Sequence, residues 1–228
     1  MVTEARIKEI FTSIQGEGPI VGRKQLFIRF CGCNLSCKYC DTNFSAENSH
    51  SYTPQSLADL ISSKYDLSKI HSISLTGGEP LLHYDFLNEF IPVIKKNYPV
   101  KIYLETNATL TDELLKIKDK IDIISADIKL ESSTGKDTFN MHSLFLKNCK
   151  GVETFAKVVF DENITNDEIV KCIEIAKENN LELILQPMMD GNKLSVDADF
   201  CTNLADKFLE KYPKVRLIPQ THKFLNVR

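Results

Sequence analysis

Cys33, Cys37 and Cys40 share one short stretch, Cys33-Asn34-Leu35-Ser36-Cys37-Lys38-Tyr39-Cys40, with three residues and then two between them. A fourth cysteine, Cys31, lies two residues upstream. Three sulfurs this crowded cannot all pair as disulfides, and the pattern suits thiolate ligands of a metal centre. A [4Fe–4S] cube takes a thiolate on each iron when the protein supplies every ligand. Three thiolates would leave one iron open to bind a further group. The competing chemistry is zinc, which takes four ligands, often as two separated Cys-x-x-Cys pairs. The chain has no second such pair, so zinc would need Cys31 or a distant histidine as its fourth ligand.

Other polar residues stand where their type is informative. Thr76-Gly77-Gly78-Glu79-Pro80 is a sharp turn whose glycines let backbone approach a ligand closely. Glu79 can accept a charge-assisted hydrogen bond from a cationic amino group. Arg29 interrupts the apolar run Phe27-Ile28-Arg29-Phe30. An arginine in such a run points at something, and its fork suits a carboxylate. Glu105, Thr106, Asn107, Ser125 and Gln186 each have the character of a loop cap taken singly.

These residues need elements to hold them, and the apolar pattern supplies them. Ile7–Phe11 reads as a short strand, followed by a Gly-rich loop from Gln15 to Gly22. Gln25–Phe30, Ser72–Thr76, Lys101–Leu104, Ile121–Ile124, Thr154–Val159 and Leu181–Leu185 read as the main strands. Helices fall between them. Thr53-Pro54 opens one, Tyr84–Asn97 is a second with a kink or break expected at Pro92, and Thr111 starts a third. Ser132–Gly135 reads as a loop with a short helix after it. Thr165 to Glu168 has capping-box spacing ahead of another helix. Val196–Tyr212 is the last helix, and the tail 215–222 adds a short strand.

Strand and helix alternate as in βαβ units around a parallel sheet. Six main strands are fewer than the eight of a closed barrel, so the reading is one α/β domain over residues 1–228, an open or partial barrel. The cysteine loop and the polar motifs follow successive strands. Ligand chemistry in parallel architectures sits at that C-terminal edge.

Composition narrows the class. The chain has 228 residues, 43% hydrophobic and 26% charged, as in an ordinary soluble domain. Lys and Arg total 28 against 31 Asp and Glu, with no basic cluster, which argues against direct nucleic-acid contact. No apolar run is long enough for a bilayer, and the N-terminus lacks a signal-type apolar stretch. Seven cysteines, an odd number, suit a reducing compartment; the expectation is a cytoplasmic protein with no membrane contact.

The cysteine spacing resembles that of the radical S-adenosylmethionine (SAM) enzymes. Gln15-Gly16-Glu17-Gly18, Phe27-Ile28-Arg29, Gly32-Cys33-Asn34-Leu35 and Cys40-Asp41-Thr42 resemble the 7-carboxy-7-deazaguanine synthase family within them, and matching segments recur almost to the C-terminus. The resemblance implies an incomplete TIM-like barrel with a radical SAM core, a [4Fe–4S] cluster on Cys33, Cys37 and Cys40, SAM, and Mg2+ at Thr42. It places Tyr39 and Gly78 at SAM. Glu79 would take its amino group, and Glu105, Asn107, Ser125 and Gln186 would bind its other polar groups. Met188 serves adenine or the core equally well. The resemblance assigns Ile14 (through its carbonyl), Gln15, Gly16, Glu17, Arg29, Thr76 and His222 to a pterin substrate.

The family pattern Ser-Pro-Lys after the fourth strand reads Ser125-Ala126-Asp127-Ile128-Lys129 here, so Ser125 carries over better than Lys129. The activity implied is a lyase that turns 6-carboxy-5,6,7,8-tetrahydropterin into 7-carboxy-7-deazaguanine and ammonia. A homodimer and a reducing partner such as flavodoxin or ferredoxin come with it. Two other classes remain open on the sequence: a glycyl-radical activase acting on a partner protein, and a zinc-binding interaction module.

Overall fold

Alternation within the strands sets the architecture. The computed structural model describes residues 3–38, 40 and 45–227. Its strands are β1 (Ala5–Ile14), β2 (Lys24–Phe30), β3 (His50–Tyr52), β4 (Ser72–Gly77), β5 (Lys101–Thr106), β6 (Ile123–Asp127), β7 (Glu153–Phe160), β8 (Glu182–Pro187), β9 (Met189–Asp190), β10 (Lys193–Leu194) and β11 (Val215–Leu217). Side chains on a strand point alternately to its two faces. One set, including Leu26, Ile28, Ile73, Leu75, Ile102, Leu104, Ile124, Val158, Leu183 and Leu185, is buried in the main core. The other set includes Gln25, Phe27, Arg29, Ser74, Thr76, Glu105, Asp127, Lys157 and Gln186, and it shares the opposite face through the parallel register.

The helices cover the apolar face. They are α1 (Pro54–Lys64), α2 (Tyr84–Asn97), α3 (Thr111–Ile117), α4 (Glu131–Thr134), α5 (Phe139–Asn148), α6 (Asn166–Asn179), α7 (Ala198–Leu209) and α8 (Thr221–Phe224). Thr53 caps α1 through its side chain, and Thr165 and Glu168 form the capping box at α6. The Glu168 carboxylate also accepts from the Ser132 N–H at 2.8 Å. That contact ties α6 to α4.

The sheet is open. Its strand order is β11-β8-β7-β6-β5-β4-β2-β1-β3, and β2, β4, β5, β6, β7, β8 and β11 run parallel. This is the partial α/β barrel expected, with the short tail strand seated beside β8. On the inner face Tyr103, Ile123, Phe155 and Ile184 form a small apolar floor with Ile20 and Ile218 packed on it. The polar residues stand above that floor, toward the C-terminal edge.

Four expectations need correction. The helix expected over Val196–Tyr212 is not the last, because α8 (Thr221–Phe224) follows β11. The N-terminal strand is ten residues long and antiparallel to β2, with a register shift between Ile7 and Glu9 that sets Glu9 opposite Arg29. Segment 132–135 is not a plain loop: α4 runs to Thr134 and is closed by Gly135 in the left-handed region. The break at Pro92 is absent, since α2 continues from Tyr84 to Asn97. An interior proline costs about 3 kcal/mol in a free helix. Here Pro92 is exposed, while Phe86, Leu87, Phe90, Ile91 and Ile94 press the other side of α2 onto the sheet. Burial of that stripe outweighs the lost hydrogen bond.

Phe90 is fully buried and stacks on Phe86 at 5.8 Å between ring centres. Phe90→Ala should lower unfolding free energy by about 3–5 kcal/mol, read as a fall in the urea midpoint.

Candidate active site

The cysteine loop is clasped before it reaches its first ligand candidate. Cys31 N–H donates to the Arg6 carbonyl at 3.0 Å. Its own carbonyl accepts from His83 Nε2 at 2.8 Å. The Cys31 thiol is buried, and Cys31 is not among the residues that line the pocket shared by the other three. Gly78 N–H donates to the Phe30 carbonyl at 3.0 Å, and Glu79 N–H to the Gly32 carbonyl at 2.8 Å. A Cβ on Gly78 would lie 1.7 Å from that Gly32 oxygen, so no other residue fits without moving one loop off the other. Gly77, at φ 117°, is confined in the same way against the Phe30 backbone.

A closed ring of hydrogen bonds fixes the loop from a second side. Asn34 Nδ2 donates to Thr109 Oγ1 at 2.9 Å, Thr109 Oγ1 to Asn107 Oδ1 at 2.6 Å, and Asn107 Nδ2 to Asn34 Oδ1 at 2.8 Å. Further along, Lys38 N–H donates to the Ser133 carbonyl at 3.1 Å. Loops from β4, β5 and β6 thus hold the cysteine loop. Cys33, Cys37 and Cys40 all open to one pocket. Burial pushes the Cys33 and Cys37 thiols up.

The donor set fits an iron–sulfur cluster. Three thiols sit on one loop facing one cavity, and N–H donors approach the Cys33 sulfur from Leu35 at 3.5 Å and Asn107 at 3.8 Å. N–H bonds to sulfur are a lever on cluster potential.

The same pocket gathers most of the other candidates. Ile14, Gln15, Gly16, Glu17, Arg29, Thr76, Gly78, Glu105, Asn107, Gln186, Met188 and His222 line it with the cysteines. Tyr39, Asp41 and Thr42 lie outside the described residues. Ser125 is buried below the lining, in register with Glu105 and near Tyr103. Gln186 is buried at the lining, and its Oε1 has no protein partner.

Several side chains are more committed than their types suggest. Glu79 is fully buried and accepts from Leu81 N–H at 3.0 Å, Thr106 Oγ1 at 2.9 Å and Asn107 N–H at 2.8 Å. A carboxylate has about four acceptor sites, so roughly one remains, but Glu79 lies behind the residues that line the pocket. Asn107 spends its amide on the ring with Asn34 and Thr109. The buried Gln15 donates to Gln25 Oε1 at 2.9 Å and accepts from Glu17 N–H at 3.0 Å. Gln25 in turn donates to Ser72 Oγ at 2.7 Å. Arg29 stacks over Phe11 at 5.2 Å and lies 3.7 Å from Glu9, one-third exposed at the pocket.

A buried charge network escaped the sequence reading. Lys157 on β7 is ion-paired with Glu17, lies 3.2 Å from Asp127 and 4.0 Å from Glu105. Lys129 holds the other Asp127 oxygen at 2.8 Å. Gln220 Nε2 donates to Glu17 at 2.7 Å. The available signal was a lysine inside the apolar run Phe155-Ala156-Lys157-Val158-Val159, the same anomaly as Arg29. Gln220 arrives on the segment after β11, where Thr221 N–H donates to the Gly16 carbonyl at 2.9 Å. His222 fills the space a Cβ on Gly16 would take.

Burial pulls the Lys157 ammonium down, but Asp127, Glu17 and Glu105 together lift it well above the ordinary lysine value. Burial pushes the Glu17 carboxyl up, yet Lys157, the Gln220 hydrogen bond and His222 outweigh it and hold Glu17 at about 2. Burial raises Glu105, and the Glu17 charge adds to that. Burial likewise takes Glu79 to about 7 despite its three hydrogen bonds.

An open parallel sheet whose C-terminal edge presents a three-cysteine loop defines a radical SAM protein, and a model of the Radical SAM superfamily matches residues 27–195. The chain is 36% identical to a 7-carboxy-7-deazaguanine synthase of Geobacter sulfurreducens over 97% of each chain. It is 35% identical to one of Archaeoglobus fulgidus, covering 98% of this chain and 99% of the relative. The solved structure of QueE from Escherichia coli superposes with a TM-score of 0.68 at 21% identity, covering 96% of this chain and 95% of that one. Native anSMEcpe with bound AdoMet and the Kp18Cys peptide shares the fold at a TM-score of 0.59 and 20% identity, over 82% of this chain and 59% of that one. The chain belongs to the 7-carboxy-7-deazaguanine synthase family, and with it to the enzymes that use a [4Fe–4S] cluster and SAM.

Gly78→Ala should separate the two clasped loops and leave the protein folded. We expect iron content after anaerobic reconstitution to fall several-fold, with the visible charge-transfer absorption. A second prediction concerns pH in the metal-free protein. Glu79 at about 7 lies above its ordinary 4.5, so between these values the folded chain keeps a proton that the unfolded chain releases. Its contribution to stability therefore falls as pH rises through that window, by up to about 3 kcal/mol. Glu17 runs the other way, its contribution being present above 4.5 and lost as pH drops toward about 2. Urea midpoints of wild type and Glu79→Gln, compared from acid to neutral pH, should diverge only in the upper window.

Proposed function

We propose that this chain, as a single radical SAM domain, converts 6-carboxy-5,6,7,8-tetrahydropterin to 7-carboxy-7-deazaguanine with release of ammonia. The observation that carries the reading is that the three thiols and Gln15–Glu17, Arg29 and His222 line one pocket. A glycyl-radical activase needs a protein substrate; this cavity also holds residues suited to a small polar ring.

Cys33, Cys37 and Cys40 would hold the cluster. SAM would lie along the β4, β5 and β8 ends, against the Gly78 backbone, Glu105 and Gln186, with its ammonium at the remaining acceptor site of Glu79. When bound, cluster and SAM supply an adenosyl radical and thus hydrogen-atom abstraction, which no side chain can perform. The protein's part is to place and shield the reacting carbon. Arg29, already stacked and oriented, offers its fork to the substrate carboxylate. Glu17 accepts from the amino and amide N–H groups of the pterin edge, and the Ile14 carbonyl extends that edge. Gln15 acts chiefly by holding Glu17 in place through the Glu17 N–H. Thr76, which lines the same pocket as Glu105 and holds down its carboxyl pKa, would stand between the two ligand sites.

Mg2+ at Thr42, beside the substrate carboxylate, belongs to the proposal. So do a homodimer, a flavodoxin- or ferredoxin-type reductant and a cytoplasmic setting. No helix among the described residues is long and apolar enough to cross a membrane.

Reconstituted enzyme incubated anaerobically with the carboxypterin, SAM and reductant should yield the deazaguanine by mass analysis, and absence of that product would end the reading. Arg29→Ala should keep its iron content while KM for the pterin rises about 10- to 100-fold, the loss of one charge-assisted bond. An unchanged KM would remove Arg29 from the substrate site.

A further inference from the structure

Lys157 is almost wholly buried, at 4% side-chain exposure, yet it lines the pocket and has no part in the chemistry described so far. Its ammonium meets Glu17 Oε2, and Gln220 Nε2 meets Glu17 Oε1 at 2.7 Å. A loop carboxylate is therefore gripped from two distant elements, β7 and the segment after β11. Each grip takes one acceptor site per oxygen. Of the roughly four sites on a carboxylate, about one on each oxygen remains for a ligand. Two adjacent acceptors match two adjacent N–H donors, the pattern of an amino group beside a ring amide. A buried carboxyl without its cation would take up a proton, and one acceptor would become a donor.

We propose that Lys157, assisted by Gln220, is a positioning residue that fixes Glu17 as a two-acceptor anion selective for the amino–amide edge of the substrate ring. The inference rests on the pterin reading above and adds the device that enforces it. Asp127 and Glu105 also face Lys157, from β6 and β5. Lys129 neutralises Asp127 at 2.8 Å, so Asp127 does not by itself consume the Lys157 charge. The charged groups facing Glu17 are Lys157 from β7, Glu105 from β5 and His222 from α8. Tyr103 on β5 lies in the same field. Glu105 opposes the Glu17 charge and His222 favours it, so removal of Lys157 leaves the balance to burial and Glu105.

The test is equilibrium binding of the carboxypterin to reconstituted, SAM-loaded enzyme under anaerobic conditions. Affinities of each variant are taken as ratios to wild type at each pH. Lys157→Met should weaken binding by about tenfold or more near pH 6 and recover toward wild type as pH rises and Glu17 ionises. Lys157→Arg, which keeps the charge, should stay within about threefold of wild type with no new slope. The pair Glu17→Gln with Lys157→Met leaves no carboxyl to protonate at this position, and should bind weakly at every pH. It carries the test if Lys157→Met is insoluble, and wild-type affinity in that pair would overturn the proposal. So would a Lys157→Met ratio near one throughout, or a loss equal at all pH values that arginine does not restore. A wild type that does not bind the pterin at all would instead overturn the proposed function, and this inference with it.

Discussion

A strand that must bury one face in an apolar core and offer the other to a ligand carries two opposed demands, and the structure follows from meeting both. From β2 to β8, alternate residues divide into aliphatic side chains under the helices and mostly polar ones on the concave side. Slipping any strand by one residue would exchange the two sets, so register is strongly determined. Parallel pairing then puts the ends of successive strands, and the loops that follow them, at one edge. Glu105, Asp127 and Lys157 meet because they sit near the ends of β5, β6 and β7 on that concave face.

Rigidity at the cysteine loop comes from close backbone approach and a small ring of amides. Gly32 and Gly78 touch through atoms that leave no room for a side chain. Asn34, Asn107 and Thr109 use their donors and acceptors on one another, and Asn107 also reaches toward a sulfur. The loop that presents the thiols is therefore braced at both ends by neighbouring strand ends, which limits the reorganisation needed when ligands bind.

Charge in the cavity is arranged in two regions with opposite protonation tendencies. In the lining Glu17 is kept ionised by a cation buried with it. Behind the lining, burial raises the Glu79 carboxyl to about 7 although three hydrogen bonds and the Lys129 charge pull it down. On the proposed reading, an ammonium arriving at Glu79 would favour its ionised form, as Lys157 does for Glu17.

The order of elements and the edge that bears the chemistry were legible because apolar periodicity and strand-end motifs are local properties of the chain. The cysteine spacing belongs to the same class, since ligands within one loop need no knowledge of distant contacts. Arg29 stood out because a cation inside an apolar run has no local explanation. Lys157 has the same signature, but its three carboxylates come from separate parts of the chain, one of them more than a hundred residues away. Glu79 and Asn107 were recognisable as polar groups at the right edge, and Gln15 as one in a Gly-rich loop. Which of their donors and acceptors remain free depends on neighbours that only folding brings. Continuity of α2 through Pro92 was likewise settled by packing, because burial of its far side exceeds the local cost. Sequence alone determined where chemistry is presented and by which residue types; tertiary structure decided which groups face a ligand and which are spent on one another, since hydrogen bonds and buried charges are satisfied by spatial neighbours and not by chain neighbours.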